Sequence, residues 1–211
     1  MLIGPDAGNV LADDQTLQFY EQNARSYVGA RPEELSADLL AFLPRLHSGA
    51  LILELGCGSG IDAAEMERLG FDVAPTDGSA SMAALASERL GRSVGVLRFE
   101  DLTAEGQYDA VVACASLLHV PLQGLPKVLQ RIWASLKPGG WHFASFKTDG
   151  QAKRDEHGRY YNYVCREDAE AAYRSAGIWS ALIFENFDGV GYFSAPARWL
   201  TVTAQKSTRL T

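Results

Sequence analysis

Short apolar runs alternate with longer amphipathic segments through the first two thirds of the chain. Five apolar runs, typical of buried strands, read ALILEL, FDVAPTD, VGVLRFE, YDAVVACAS and WHFASFK. Three of the segments between them have helical spacing of their apolar residues: IDAAEMERLG, SASMAALASERLG and LPKVLQRIWASL. Strands that alternate with helices of about ten residues predict parallel βαβ units and a doubly wound sheet.

Two further helices are predicted before the first strand. Asp13 or Asp14 is expected to cap the first, whose apolar side consists of Leu17, Tyr20, Ala24 and Tyr27. The second is expected to begin at Pro32 and to end at Pro44. Its predicted apolar stripe is Leu35, Leu39, Leu40 and Leu43.

The last third of the chain has a different pattern. A turn at KPGG leads into the fifth strand, and CREDAEAAYRSAG then predicts a helix that ends at Gly177. Two long strands follow, WSALIFENFD and ARWLTVTAQK, with no helix predicted between them. We therefore expect these two strands to form an antiparallel pair at the edge of the sheet.

Composition and charge exclude several classes of protein. The chain has 211 residues, 47% of them hydrophobic and 21% charged, which suits one globular domain. A formal net charge of −7 repels a phosphate backbone, so we expect no nucleic-acid partner. The KRDEHGR stretch is mixed in sign and is predicted to be a solvated loop.

Cysteine use and hydropathy indicate a reducing compartment and no membrane contact. Cys57, Cys114 and Cys165 lie far apart and lack the spacing of metal ligands, so no metal is expected. No apolar run reaches the roughly 18 residues of a membrane span, and the N-terminus lacks the pattern of a signal peptide. These features predict a cytoplasmic protein, either a monomer or a homodimer.

A glycine-rich turn, LELGCGSG, follows the first predicted strand. Gly56, Gly58 and Gly60 let the backbone adopt positive φ angles and let a ligand approach without meeting a Cβ atom. The helix that follows presents free N–H groups at its N-terminus. The turn therefore predicts a nucleotide-like ligand at the carboxyl end of the first strand.

An acidic residue supports this prediction. Asp77 ends the second strand, 21 residues after Gly56, where dinucleotide-binding folds hold the ribose hydroxyls. A carboxylate can accept hydrogen bonds from both hydroxyls. The alternative is that Asp77 caps the next helix, although Ser79 or Ser81 could do so instead.

Five ordered motifs resemble those of class I S-adenosylmethionine-dependent methyltransferases of the small-molecule type. They are LELGCGSG, TDGS, FEDL, YDAVVACASLLHV and LKPGGWHFASF, and they cover residues 50–146. The resemblance implies S-adenosyl-L-methionine as cofactor and methyl transfer to an unidentified small-molecule acceptor. It also implies a doubly wound, Rossmann-like α/β fold: a mostly parallel seven-stranded sheet with an antiparallel terminal strand and helices on both faces.

The same resemblance implies one domain with three parts. Residues 1–45 are expected to cover the cofactor, residues 46–150 to bind it, and residues 151–211 to supply an acceptor-side insert and a terminal β-hairpin. Two other functions stay open, a non-catalytic S-adenosylmethionine-binding protein and an NAD(P)-dependent oxidoreductase. The oxidoreductase is less favoured because its turn has the form G-x-G-x-x-G, whereas Gly60 lies one residue earlier.

The resemblance assigns cofactor contacts to individual residues. The methionine part is expected to meet Gly56, Cys57 and Gly58; the ribose, Asp77; and the adenine, Gly78, Asp101 and Leu102. Backbone contacts are expected from Cys114 and Ala115. Glu54 has two interpretations, contact with the methionine amino group or a brace for the amides of the glycine turn.

The first helix resembles a segment that folds over the cofactor in this family. Its stretch FYEQNARSYV makes Tyr20, Arg25 and Tyr27 candidate contacts, with Arg25 pairing to the methionine carboxylate. The alternative is that both tyrosines pack in the core and that Arg25 is solvated.

The residues that would carry the chemistry are less well defined. Methyl transfer from a sulfonium rests mainly on positioning and on exclusion of water, so a protein base is optional. His119, shortly after the fourth strand, is the best candidate base, and its alternative is a structural role. The acceptor pocket is expected to include Tyr27, Tyr161 and Tyr163, with residues 192–199 as a wall. Alternatively, the tyrosines after residue 159 form a short strand and pack as core.

Overall fold

A twisted sheet with helices on both faces organises the chain, in a computed structural model that describes residues 11, 13–29, 36–190 and 196–208. In that part of the chain, the helices are α1 (Asp14–Val28), α2 (Ala37–Phe42), α3 (Ile61–Arg68), α4 (Ala80–Leu90), α5 (Leu125–Ser135) and α6 (Arg166–Ala176). The strands are β1 (Leu51–Leu55), β2 (Asp72–Asp77), β3 (Gly95–Val96), β4 (Tyr108–Ala113), β5 (Leu136–Lys147), β6 (Lys153–Arg154), β7 (Tyr160–Tyr161), β8 (Trp179–Val190) and β9 (Pro196–Lys206).

Seven strands form one sheet in the order β3-β2-β1-β4-β5-β9-β8, and β6 and β7 form a separate hairpin. The pairs among β1 to β5 are parallel, whereas β9 is antiparallel to both β5 and β8. This confirms the predicted mostly parallel sheet with a reversed terminal strand. The reversed strand lies inside the sheet, however, and β8 forms the edge.

The buried strands separate two apolar cores because successive side chains point to opposite faces of a sheet. On one face, Ile52 and Val112 belong to a cluster that includes Leu39, Phe42, Ala63 and Met66 of α2 and α3. On the other, Leu53 and Val111 belong to a cluster that includes Val128, Leu129, Ile132, Ala172 and Tyr173 of α5 and α6. Helices on both faces explain why the strands are almost continuously apolar in sequence.

The N-terminal helices differ in how closely they follow the prediction. Asp13 caps α1, its carboxylate accepting a hydrogen bond from the N–H of Thr16 at 2.8 Å. The second helix begins at Ala37 with Ser36 as its cap, while Pro32 and Leu35 lie outside the described residues. Its predicted stripe is wrong at Leu40, which is 44% exposed.

Two other predicted elements have different bounds in the structure. The third strand is reduced to β3, two exposed residues at the sheet edge, and a 3-10 turn follows at Phe99–Asp101. An edge strand has a partner on one side only, so little pairing holds it extended. The predicted KPGG turn lies within β5, where the register with β4 shifts between Tyr108 and Ala110.

The strand order reverses between β2 and β4, which lie on opposite sides of β1. In open α/β sheets, ligands bind at the carboxyl ends of strands at such a reversal. Among the described helices, none is both long and apolar enough to cross a membrane.

Candidate functional site

The glycine-rich turn leaves β1 at the carboxyl edge of the sheet and enters α3. The N–H groups of Gly56 and Cys57 both donate to the carbonyl oxygen of Thr76 on β2, at 2.9 Å each. The N–H of Gly60 donates to the carbonyl of Cys57, also at 2.9 Å, and closes the turn. Gly56 and Gly58 have φ angles of +80° and +57°, which glycine adopts without strain.

Gly56 also lies against the segment that follows β4. A Cβ atom at Gly56 would lie 2.5 Å from the Cβ of Ser116, closer than real side chains approach. The Ser116 hydroxyl donates to the carbonyl of Leu55 at 2.7 Å and so holds the two loops together. Packing therefore requires bare backbone at Gly56, which faces a cavity lined by both loops.

Asp77 joins the glycine turn to the start of α4. Its Oδ2 accepts a hydrogen bond from the N–H of Gly58 and its Oδ1 accepts one from the N–H of Ser79, both at 2.9 Å. The hydroxyl oxygen of Ser79 caps α4 by accepting from the N–H of Met82. Asp77 is thus not needed as the helix cap. Burial raises its pKa to about 6.

A cavity of about 740 Å³ opens where β1, β2 and β4 end, a size that suits a small-molecule site. The predicted site residues that line it are Tyr20, Tyr27, Gly56, Gly58, Asp77, Gly78, Cys114, Ala115 and His119. The predicted site residues that do not line it are Arg25, Glu54, Cys57, Asp101, Leu102, Tyr161 and Tyr163.

The side of the cavity next to Gly78 is an apolar slot. Its walls are Leu17, Met82, Leu97 and Phe99. A Cβ atom at Gly78 would lie 2.8 Å from Cδ2 of Leu17, so α1 packs directly on the backbone at Gly78. The sequence placed Leu17 on the apolar side of α1, but it did not distinguish the other three from ordinary core residues.

Directly after the glycine turn, an acidic residue in the first turn of α3, Asp62, lines the cavity. Glu54, the acid singled out in the sequence, is 2% exposed within β1. The amides of Gly56, Cys57 and Gly58 donate to Thr76 and Asp77, and both interpretations of Glu54 stay predictions. A carboxylate in the first helical turn is also stabilised by the helix dipole, so Asp62 has a structural reason for its position as well.

The loop after β3 contributes different residues from those predicted. Asp101 is exposed, and Leu102 is buried with its carbonyl accepting a hydrogen bond from Arg131 at 3.1 Å. Arg98 and Phe99 line the cavity instead. Successive residues of a 3-10 turn point about 120° apart, so Phe99 and Asp101 face different sides.

Arg25 lies on the outer side of α1, away from the cavity. Its side chain is 79% exposed, and its guanidinium is 3.0 Å from the carboxylate of Glu88 on α4. The structure therefore does not bring Arg25 to the predicted cofactor site. Its solvated position corresponds to the alternative interpretation.

His119 links α1 to the β7 segment beside the cavity. Its Nδ1 is 2.6 Å from the carbonyl oxygen of Tyr160, and its Nε2 is 2.9 Å from the hydroxyl of Tyr20. A carbonyl can only accept, so we assign the ring proton to Nδ1, and Nε2 then accepts from the Tyr20 hydroxyl. Burial lowers the pKa of His119 to about 4, so the ring is neutral at pH 7.

A buried arginine holds α1 against the β6–β7 hairpin. Arg159 is 2% exposed and forms an ion pair with Asp155 at 2.7 Å. Its guanidinium lies 4.8–6.0 Å from the ring centres of Phe19, Tyr20, Tyr27 and Tyr161. The prediction of a solvated loop at KRDEHGR is therefore wrong for Arg159, because Asp155 and the aromatic rings offset the cost of burying its charge.

The end of the cavity farthest from the glycine turn is walled by aromatic residues of β8 and β9. The rings of Phe187 and Trp199 are nearly parallel, with centroids 6.3 Å apart, and both line the cavity. Residues 192–195 of the predicted wall lie outside the described residues. Tyr161 is buried with its ring 4.9 Å from that of His119. Tyr163 is half-buried, and neither tyrosine lines the cavity.

Comparison with known proteins identifies one domain family over most of the chain. A family model described as a methyltransferase domain matches residues 27–194. The ubiquinone biosynthesis O-methyltransferase of Xanthomonas axonopodis pv. citri is 41% identical over 106 residues, which are 46% of this chain and 43% of that protein. The magnesium-protoporphyrin O-methyltransferase of Rhodobacter capsulatus is 31% identical over 105 residues, 47% of each chain. These matches span less than half the length of either relative.

Solved structures with low sequence identity share the fold. The 1,6-didemethyltoxoflavin-N1-methyltransferase of Burkholderia thailandensis, solved with S-adenosylhomocysteine, superposes with a TM-score of 0.74 at 21% identity. That match covers 98% of this chain and 93% of the other. A S-adenosylmethionine-dependent methyltransferase of Methanosarcina mazei superposes with a TM-score of 0.72 at 15% identity, covering 83% of this chain and all of the other.

Proposed function

The chain belongs to the methyltransferase-domain family, and from that premise we propose that it transfers a methyl group from S-adenosylmethionine to a small-molecule acceptor. The observation that carries the proposal is the cavity at the ends of β1, β2 and β4, with the bare backbone of Gly56 and the carboxylate of Asp77 facing into it. A Cβ atom at Gly56 would clash with Ser116, so no side chain fits at this position.

The residues of the cavity fit this cofactor. Asp77 would accept the ribose hydroxyls, while its amide contacts keep the glycine turn in place. The apolar slot beside Gly78 would hold the adenine, and the backbone at Gly56 would lie along the methionine part. Asp62 would face the cationic amino group. When bound, S-adenosylmethionine supplies a methyl group already activated by its positive sulfur.

The chain's own residues are then left to position the acceptor and to exclude water. Neutral His119 fixes the Tyr20 hydroxyl by accepting its hydrogen bond at Nε2, so that hydroxyl keeps its orientation at the cavity wall. A group whose pKa is about 4 is a weak base at pH 7. We therefore assign His119 a positioning role through Tyr20.

The proposal is tested by calorimetry and by turnover. S-adenosylmethionine should bind the full chain and NAD should not. Incubation with S-adenosylmethionine and a panel of metabolites should produce S-adenosylhomocysteine with at least one acceptor. Binding without turnover across a broad panel would favour the non-catalytic alternative, and binding of NAD alone would refute the proposal.

Cofactor affinity should fall on acidification because Asp77 titrates between pH 7 and pH 5. Its pKa of about 6 means that the carboxylate is mostly ionised at pH 7 and mostly protonated at pH 5. A protonated carboxyl loses acceptor capacity, so we expect the Kd for S-adenosylhomocysteine to rise about tenfold over this range. Asp77→Asn, which does not titrate, should bind weakly with a flat profile. An equally steep profile in that variant would assign the effect to another group.

His119→Ala should lower stability more than it changes the chemistry. The Tyr160 carbonyl and the Tyr20 hydroxyl both lose their partner, so we expect the free energy of unfolding to fall by about 1–3 kcal/mol. Urea unfolding measures this, with the exposed His47→Ala as the control. Unchanged stability together with a rate loss that titrates near neutral pH would support the base role instead.

We further propose that the protein acts in the cytoplasm on a small molecule, as a monomer or homodimer. The acidic charge of −7 supports the absence of a nucleic-acid partner. The division into a cap over residues 1–45, a cofactor-binding part over 46–150 and an acceptor part over 151–211 also stays a prediction. Its support is that α1 lines the cavity on one side and that β8 and β9 line it on another.

A further inference from the structure

Lys147 ends β5 with its ammonium group among aromatic rings. Its Nζ lies 4.2 Å from the ring centre of Tyr161 and 6.0 Å from that of Trp199. The side chain is half-buried. Within the described residues, no hydrogen-bond acceptor or ion-pair partner reaches Nζ. Aromatic faces stabilise a cation but accept no conventional hydrogen bond, so the three N–H donors of Lys147 stay available to solvent or to a ligand.

Lys147 shares a sheet face with residues that line the cavity. Side chains alternate along β5, so Phe143, Ser145 and Lys147 point to the same side, and the first two line the cavity. Trp199 lies opposite Lys147 on β9, and Phe187 lies opposite Trp199 on β8. Both aromatic residues line the cavity as well. Lys147, Trp199 and Phe187 therefore form a row across three neighbouring strands. Lys147 is at one end of this row, beside the proposed acceptor end of the cavity.

The charges that act on Lys147 are mainly positive. Arg159 and Lys153 repel its ammonium group, and Asp155 attracts it. Asp155 already pairs with Arg159 at 2.7 Å. Burial, together with the two cations, lowers the pKa of Lys147 below its ordinary value. An anion beside Nζ would satisfy the N–H donors and offset this repulsion.

Several carboxylates that line the cavity are held by other groups. Asp77 accepts hydrogen bonds from two backbone amides. Asp13 pairs with Arg154 at 2.6 Å, and Asp188, at the rim, lies 3.4 Å from Arg198. Lys147 does not itself line the cavity, but its Nζ lies 6.0 Å from the ring centre of Trp199, which does.

We propose that Lys147 binds an anionic oxygen, a phenolate or a carboxylate, on a planar aromatic acceptor that lies against Trp199 and Phe187. The two rings are stacked with their planes 12° apart and form an aromatic pair at the cavity wall. A flat ring packs well on such a wall, and an ionised oxygen at its edge accepts a charge-assisted hydrogen bond from Nζ. The inference rests on the proposed function and adds the chemical class of the acceptor.

Calorimetry on the full chain saturated with S-adenosylhomocysteine tests the inference. The probes are 2-naphthoate, 2-naphthol and 2-naphthylmethylammonium, which share a flat ring system and differ in charge. At least one of the two oxygen probes should bind at least about tenfold more tightly than the ammonium probe. Lys147→Met should remove that preference, and Lys147→Arg should keep most of it. Whichever oxygen probe responds to Lys147→Met shows whether the group is a carboxylate or a phenolate.

A matched control and a separate readout make the outcomes distinct. Lys127→Met removes an exposed lysine of α5 that does not line the cavity and should leave all three affinities unchanged. S-adenosylhomocysteine should bind both methionine variants as it binds the original chain. Its failure to bind the original chain would overturn the proposed function and the inference together. Normal cofactor binding with no oxygen-probe binding, with tighter ammonium binding, or with no effect of Lys147→Met would overturn the inference alone.

Discussion

Gly56→Ala should abolish measurable cofactor binding and strongly destabilise the protein. The new Cβ would lie 2.5 Å from the Cβ of Ser116, at a residue whose φ is +80°. The left-handed backbone costs an L-residue about 1–2 kcal/mol, and the forced displacement costs about 1–3 kcal/mol more. We therefore expect a loss of about 2–5 kcal/mol in the free energy of unfolding and, because the two loops must separate, at least about a hundredfold weaker binding of S-adenosylhomocysteine.

The matched control for this substitution is Gly70→Ala. Gly70 also has positive φ, +90°, but a Cβ atom there would meet nothing within 4 Å. Gly70→Ala should lower the free energy of unfolding by only the cost of the left-handed backbone, about 1–2 kcal/mol, and leave cofactor binding unchanged. The pair of variants separates backbone strain from the clash with Ser116.

The double variant Gly56→Ala with Ser116→Gly tests the clash directly. Ser116→Gly alone removes the hydrogen bond to Leu55 and should cost about 1 kcal/mol. Combined with Gly56→Ala, it should recover stability, giving a favourable coupling of at least about 1 kcal/mol in urea unfolding. Additive losses would show that the close approach of the two loops does not limit this position.

Asp77→Ala should weaken cofactor binding by about 1–3 kcal/mol, or roughly 5- to 150-fold in Kd. The substitution removes the acceptor for the N–H groups of Gly58 and Ser79 and the acceptor proposed for the ribose. The raised pKa of Asp77 means that its ionised form is unfavourable in the fold at pH 7. Removing this unfavourable buried charge offsets part of the stability that is lost with the two hydrogen bonds. The free energy of unfolding should therefore change less than the free energy of cofactor binding.

Calorimetry and urea unfolding on the same preparations measure both quantities. Asp72→Ala is the control, because Asp72 is an exposed acid at the opposite end of β2. It should change neither stability nor affinity appreciably. Unchanged affinity in Asp77→Ala would remove the ribose assignment, and a loss of stability as large as the loss of affinity would indicate a purely structural role.

Much of the sheet and of the glycine turn could be predicted from the sequence. The apolar runs predicted β1, β2 and β4, because strands covered by helices on both faces exclude polar residues. The three glycines predicted the backbone of the turn, since positive φ at every second residue is a local property of the chain. The third strand was shorter than predicted because Gly95–Val96 lies at an edge, where apolar sequence alone does not supply a second partner.

Predictions for individual residues were less complete where the direction of a side chain decided whether it reached the cavity. Arg25 and Tyr20 share one helix, yet the structure pairs Arg25 with Glu88 on the outside and Tyr20 with His119 at the cavity. The motif at FEDL identified the right loop, but its turn directs Phe99 to the cavity and leaves Asp101 exposed. A spacing pattern specifies a segment, whereas a rotation of about 120° within that segment selects the side chain.

The sequence by itself determined the family resemblance, the doubly wound sheet and the cofactor end of the cavity. Those features come from single strand–turn–helix units, in which neighbouring residues set the backbone. The tertiary structure alone decided the acceptor end. Tyr20 and His119 meet across 99 residues of chain, and Arg159 is buried by rings from α1 and β7. Lys147 meets Trp199 only through the antiparallel pairing of β5 with β9. Contacts between distant segments depend on packing and strand register, and the spacing of residues within one segment does not specify either.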